Sequence, residues 1–411
     1  MKRGIALFLS LLVVTAAAVP GLLGLRLQQD YGRLLDELRS NGLQIIEHSY
    51  RRGWLSSRAV ADLILPGNGS DELRWRVESR MRHSTPGRGF RLAAVRTLLL
   101  HQGGGPIIAI DSDLSWHGGI RSAMTLAASD RPLGEIRYQP ETHRVETNLN
   151  LAELAIPIRK ASQYSLSGLN FSSSSYLGAA GLRLGDMKLQ LDGLDFIAPG
   201  QAGRRQLRGL YLSSEAKVDK GRVQVSSQWR IAVMGLGDLR LKRLEASLRL
   251  QGLSSVLLAR TARVLPLFFL ERPPPGGPEL ALAGTLLTNF TRLLESEPSL
   301  TLDRLRFSSP EGDLDAALHW RLRPPHPSLA LDPDHWLRRL ELQGNLNIGE
   351  SVARRLIAYL GNEPVGSGWL DDLLRRGLLL KGRDDTLRSE LRMRDGNLEI
   401  NGRPVQLGTA E

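Results

Sequence analysis

Residues 207–250 read LRGLYLSSEAKVDKGRVQVSSQWRIAVMGLGDLRLKRLEASLRL, and the period of this stretch decides the fold. Leu210, Leu212, Ala216 and Val218 lead into Asp219-Lys220-Gly221. Val223, Val225, Trp229, Ile231 and Val233 lead into Gly235-Leu236-Gly237-Asp238, and Leu239, Leu241, Ala246, Leu248 and Leu250 complete a third run. Side chains of a strand alternate between faces, so an apolar residue at every second position marks a half-buried strand. Short connections containing glycine supply the positive φ that hairpin turns require. Three such strands in succession form an antiparallel meander.

The same period extends outward in both directions. In Trp54 to Leu65, the residues Leu55, Ser57, Ala59, Ala61, Leu63 and Leu65 share one face, with Arg58 and Asp62 on the other. In Leu73 to His83, Leu73, Trp75, Val77 and Met81 face one way. Arg74, Arg76, Glu78, Arg80 and Arg82 face the other. Near the C-terminus, Leu387, Leu391 and Met393 pair through Asp395-Gly396 with Leu398 and Ile400, and Asn401-Gly402 offers one more turn.

Helical spacing interrupts the strands. Ser254 to Leu270 and Glu279 to Glu295 read as a helical pair, separated by Arg272-Pro273-Pro274-Pro275-Gly276-Gly277-Pro278, which no helix can traverse. Glu350 to Leu360 buries Val352, Ala353, Leu356 and Leu360, and Asp30 to Ser40 carries Leu34, Leu35 and Leu38 before an Asn41-Gly42 stop. The expected class is α+β, predominantly antiparallel β meanders, with the helical pair inserted between two β-rich lobes. The expected division is a membrane anchor over 1–26, a β-rich lobe over 27–252, the helical pair over 253–297 and a C-terminal β-rich lobe over 298–411.

The leading segment sets the expected location. Met1-Lys2-Arg3 precedes Ile5 to Leu25, an uncharged run about 31 Å long as a helix, close to the thickness of a bilayer's hydrocarbon core. The preceding cations keep the N-terminus cytoplasmic and send the rest of the chain across the membrane. Ala16-Ala17-Ala18 offers a competing signal-peptide cleavage site, but the apolar run continues beyond it through Leu25, which favours a retained anchor.

The 411 residues carry a net charge of +11, and only seven of the 54 basic residues are lysine. Such basicity is suited to bidentate pairing with carboxylates and phosphates. With no cysteine, disulfides, thiol catalysis and Cys-ligated metals are excluded.

Catalytic signatures are missing: there is no phosphate-loop motif, no H-E-x-x-H and no G-x-S-x-G. Asp332-x-Asp334-His335 is interrupted by Pro333 and reads as a turn. Asp111 and Asp113 share a strand face as solvated carboxylates, and His319 faces solvent opposite Leu318 and Trp320. The reading therefore assigns no catalytic, cofactor or metal residue. Arg74, Arg76, Arg80 and Arg82 form a candidate basic face, for anionic headgroups or an acidic partner, or simply a charged surface guarding the strand against aggregation. This face lacks interleaved aromatic residues, which argues against nucleic acid.

Tyr50-Arg51-Arg52-Gly53-Trp54-Leu55-Ser56-Ser57, closely following the apolar leader, resembles the bacterial YdgA-like family, domain-of-unknown-function family 945. The motif residues are Tyr50, Arg52, Gly53, Ser56 and Ser57, with Gly53 turning the chain between two strands. The hairpin in Leu391 to Val405 is similar to the family's closing hairpin. Where the family often has His-Gly-Pro, this chain has His83-Ser84-Thr85-Pro86. The resemblance implies an inner-membrane-anchored, self-associating envelope protein and brings no catalytic residues. Two functions follow as expectations. One is a non-catalytic periplasmic body that scaffolds an envelope protein or a second copy of itself. The other is a lipid-binding module using the aliphatic face from Leu210 through Leu250.

Overall fold

The structure is a computed structural model. It describes residues 44–65, 73–83, 91–101, 106–127, 129–159, 162–178, 181–197, 205–236, 239–268, 292–323, 338–360 and 366–405, with scattered helical positions between 25 and 39 and at 288–289. The apolar run Ile5 to Leu25 lies, apart from Leu25, outside the described residues, as do Asp332, Asp334 and His335. Among the described residues no helix is long and apolar enough to cross a membrane.

Twenty strands join in one sheet. The N-terminal series is β1 (Gln44–Arg52), β2 (Ser56–Leu65), β3 (Leu73–His83), β4 (Arg91–His101), β5 (Pro106–Ser115), β6 (Ile120–Leu126), β7 (Arg131–Gln139) and β8 (Arg144–Arg159). Each strand pairs antiparallel with the next. Long strands follow: β9 (Ser162–Leu177), β10 (Arg183–Ile197), β11 (Arg205–Asp219), β12 (Arg222–Leu236) and β13 (Leu239–Ser254). After helix α1 (Ser255–Phe268) come β14 (Ser299–Ser309), β15 (Gly312–Leu322) and β16 (Leu340–Gly349), then helices α2 (Glu350–Leu360) and α3 (Gly366–Arg375). The closing strands are β17 (Leu380–Lys381), β18 (Thr386–Arg394), β19 (Asn397–Ile400) and β20 (Arg403–Val405).

The expected meander is present, with β10 to β13 paired in sequence order. The turn at Asp219 has Lys220 and Gly221 both at positive φ, the backbone that a two-residue hairpin requires. Asp395-Gly396 and Asn401-Gly402 turn in the same way.

One expectation is corrected. The helical insertion does not separate two lobes, because the strands flanking it, β13 and β14, are hydrogen-bonded neighbours. Their apolar positions match in register, Leu248 opposite Leu302 and Leu250 opposite Leu300, so the ladder closes and the insertion is expelled from it. Of the second expected helix, Thr288, Asn289 and Arg292 to Glu295 are helical, and the other residues between Glu279 and Leu287 are outside the described residues. Helix α3 was not expected, although Leu370, Leu373 and Leu374 recur at helical spacing.

The chain forms two compact units. The first takes in 1–150, 173–177 and 262–283, and the second 151–172, 178–261 and 284–411. In the first unit Ala59, Met81 and Ala93 form a core with Leu27, against which Tyr31, Tyr50, Val95 and Leu114 pack. Of the leading amphipathic segment, Asp30 to Ser40, Leu35 is buried, while Leu34 and Leu38 lie outside the described residues. In the second unit α2 and α3 seat Val352, Ala353 and Leu370 on Leu239, Leu241, Phe307, Leu314, Ile348 and Leu387. A smaller cluster joins Val223, Leu253 and Leu293, with Leu257 and Leu258 of α1 against it.

Candidate functional site

The motif around Tyr50 is a latch closing the first hairpin. Gly53 N–H donates to Ser56 O at 2.8 Å, and a Cβ on Gly53 would lie 2.7 Å from that oxygen, so the turn excludes any side chain there. Ser57 is next on β2 and points inward, 4% exposed, to His83 at the end of β3, 6% exposed. Its Oγ lies 3.1 Å from His83 Nε2, and His83 Nδ1 lies 3.0 Å from Trp54 O. A carbonyl only accepts, so Nδ1 carries a proton, and in the neutral imidazole Nε2 then accepts from the Ser57 hydroxyl. The His83 backbone N–H also donates to Leu55 O at 2.9 Å. Tyr50 packs its ring 5.5 Å from that of Tyr31, with its hydroxyl 3.6 Å from Met81 Sδ. Burial pushes the Tyr31 phenol above its usual range.

A serine hydroxyl on a histidine nitrogen has the makings of a nucleophile and its base. Both groups are sealed in the interior, and the histidine is oriented by a backbone carbonyl, so their arrangement holds the turn. Arg52 stands opposite Ser57 and is exposed, and Ser56 stands opposite Arg82. The reading of the sequence missed His83 as the partner of Ser57. The signal was its parity with Met81, which places both on the buried face of β3.

The expected basic face divides into unlike parts. Arg76 donates to Asp62 in a bidentate pair, Nε to Oδ1 at 2.7 Å and Nη2 to Oδ2 at 2.9 Å. That hydrogen bond holds the Asp62 carboxyl below its usual range. Arg80 and Arg82 are exposed and make no hydrogen bond or ion pair among the described residues. The side chain of Arg74 is outside the described residues. Asp111 and Asp113 share the face that Arg80 and Arg82 occupy, and Arg96 lies 3.8 Å from Asp111. Among the described residues no group of three or more His, Asp or Glu side chains is placed to hold a metal ion. His319 is exposed, as expected, with Nδ1 3.0 Å from Thr301 Oγ1.

The apolar face of the second unit is the other feature of note. Its two ends are covered, one by α2 and α3 and the other by α1. Between them Leu212 stands opposite Trp229, and Leu248, Leu302, Leu318, Gly344 and Leu391 oppose one another in succession. Trp229 is 46% exposed and Leu248 37% exposed, though both lie mid-strand and point to the same side as the buried Val223 and Ile231. At ~4.8 Å per strand this band runs about 29 Å from β11 to β18. Trp229 Nε1–H donates to Ser227 Oγ at 2.6 Å, which leaves the indole ring satisfied and its apolar surface presented.

No curated protein and no solved structure matches the chain. The family model described as "Bacterial protein of unknown function (DUF945)" matches residues 1–408, and with its motif turn and closing hairpin in place the chain belongs to that family.

Proposed function

We propose that the protein is a non-catalytic, inner-membrane-anchored envelope protein whose β-rich body holds the acyl chain of a lipid along the open band of its second unit. The observation that carries this reading is the exposure of Trp229 and Leu248 in the middle of a sheet face whose two ends are covered. Exposed apolar surface in the interior of a sheet is costly, and a contiguous patch of it marks a binding face. The band is linear, and its about 29 Å compares with about 15 Å for the acyl chains of one leaflet. An aliphatic chain needs no hydrogen-bond partners, which suits mid-strand positions whose backbone groups are already paired on both sides. The apolar leader, Ile5 to Leu25, supports a tether beside the source of such a ligand.

The experiment is mass spectrometry of lipid extracted from gently purified full-length protein and from Leu248→Asp, with sedimentation to give the assembly state. Co-purified acyl lipid, lost from Leu248→Asp, is the expected result. Absence of lipid from the wild type, or equal lipid in both, overturns it. Absence of lipid combined with self-association that Leu248→Asp abolishes would give the band to a second copy of the chain.

A further inference from the structure

The outer face of the first unit breaks a rule of sheet pairing. Arg51 stands directly opposite Arg58, Arg58 opposite Arg80, and Arg80 opposite Arg96, four cations side by side across β1 to β4. Like charges directly opposite destabilise a sheet, and all four are exposed. Glu78 takes one of them, accepting from Arg58 Nη2 at 2.9 Å, and Asp111 lies 3.8 Å from Arg96. Arg80 has no such partner among the described residues, nor has Arg82, two positions along the same strand face.

Arg82 stands opposite Ala94, and Asp111 opposite Ala123, so small side chains leave a depression beside the cations. The result is a hollow of about 700 Å³ that has Arg80, Arg82 and Arg96 in its lining with Glu78, Asp111 and Asp113, Glu78 being already engaged by Arg58. Two same-face residues on one strand are about 7 Å apart, which lets two guanidiniums converge on one tetrahedral anion. Guanidinium forks match phosphate oxygens bidentately, and phosphate carries the charge to neutralise two of them.

We propose that this hollow binds a phosphate-bearing molecule, with Arg80 and Arg82 gripping the phosphate and Arg96 flanking it. Asp111, across from Arg96, is placed to meet a hydroxyl or ammonium group on the rest of the ligand. The inference is independent of the apolar band, since it concerns other residues in the other unit.

The test uses full-length protein in detergent at low ionic strength. Titration calorimetry with inorganic phosphate and with phosphoethanolamine covers soluble sources. Sedimentation with phosphatidylcholine vesicles, with and without phosphatidic acid, covers a lipid headgroup. The double variant R80Q/R82Q is compared with wild type and with R131Q, which removes a cation elsewhere in the unit. Exposed side chains are being changed, and circular dichroism confirms the fold. R80Q/R82Q is expected to bind at least about tenfold more weakly, with R131Q unchanged, because each lost charge-assisted hydrogen bond alone is worth about that factor. Binding to the soluble probes assigns a free phosphate ester, and binding to phosphatidic acid vesicles alone assigns a lipid headgroup. No binding of any probe by the wild type, or equal binding by R80Q/R82Q, overturns the proposal.

Discussion

If the second unit's apolar face is packed at its ends and open in the middle, two leucines on it should respond very differently to truncation. Leu387 is fully buried beneath α2 and α3. Leu387→Ala removes its transfer free energy and leaves a cavity that its neighbours fill only in part, a cost of about 3–5 kcal/mol. Leu248 already exposes 37% of its surface. Its truncation forfeits only the buried share of a side-chain transfer energy of about 1.5–3 kcal/mol, and a site open to solvent leaves no sealed cavity. Leu248→Ala should therefore cost about 1–2 kcal/mol, about 2.5 kcal/mol less than Leu387→Ala between the midpoints of the two ranges. Both residues belong to one compact unit, so urea unfolding followed by circular dichroism reads the same transition for each. The midpoint shift at constant slope gives the two costs. Equal losses would mean that the centre of the face is packed as tightly as its end, and the open band would be refuted.

Three further outcomes follow from local geometry. Ser57→Ala leaves His83 Nε2 buried without its donor and should cost about 1–3 kcal/mol, read by thermal unfolding, with an Arg52→Ala control close to neutral. Gly134→Ala should open the β7–β8 ladder, because Gly134 has φ of 152° and a Cβ there would fall 1.9 Å from Asn148 O; amide exchange at 147–149 should accelerate, and unchanged protection would count against the register. Glu135 accepts hydrogen bonds from Arg137 and from Arg121, which bring its pKa down to about 2. A carboxylate depressed on folding stabilises the fold above its ordinary pKa and loses that contribution as pH falls towards about 2. A carbon-13 titration should find the low midpoint, and high salt should raise it because its partners Arg121 and Arg137 are exposed to solvent.

What the sequence made legible was whatever a single strand or turn encodes. Alternation put Ala59, Met81 and Val223 in the interior and Arg76, Arg80 and Arg82 outside, and Lys220-Gly221 and Asp395-Gly396 announced their turns. Helix α2 was legible because its four apolar positions fall on one stripe. What stayed hidden depends on which distant strands become neighbours. The pairing of β13 with β14 spans an insertion, so a Pro-rich segment that looked like a boundary falls, in sequence, between two neighbouring strands of one ladder. His83 could be placed on the buried face of β3 by parity, but its role waited on knowing that Ser57 lies across from that end of the strand. Four arginines on four strands form a row only once every register between them is known.

The two proposed sites share one departure from what folding alone would select. In a sequence selected only for folding, local choices agree with one another: apolar residues are covered, and opposite charges face each other across a sheet. Most of this chain obeys. Arg76 pairs with Asp62, Arg137 with Glu135, Arg208 with Asp195 and Arg306 with Glu245, each a cation beside a carboxylate. Against that background, Arg80 between Arg58 and Arg96 is an exception that folding alone would remove, and so is Trp229 presented to solvent in mid-sheet. A single substitution at either place, to Glu or to Thr, would restore agreement without disturbing the backbone. If Arg80 and Trp229 serve ligands and not the fold, Arg80→Glu should be neutral or stabilising in urea unfolding, and Trp229→Thr should cost no more than the about 1–2 kcal/mol of its buried share, while the motif latch at Ser57 and His83 stays intact. A clear loss of stability in Arg80→Glu, together with a loss in Trp229→Thr as large as that in Leu387→Ala, would mean that these residues serve the fold itself.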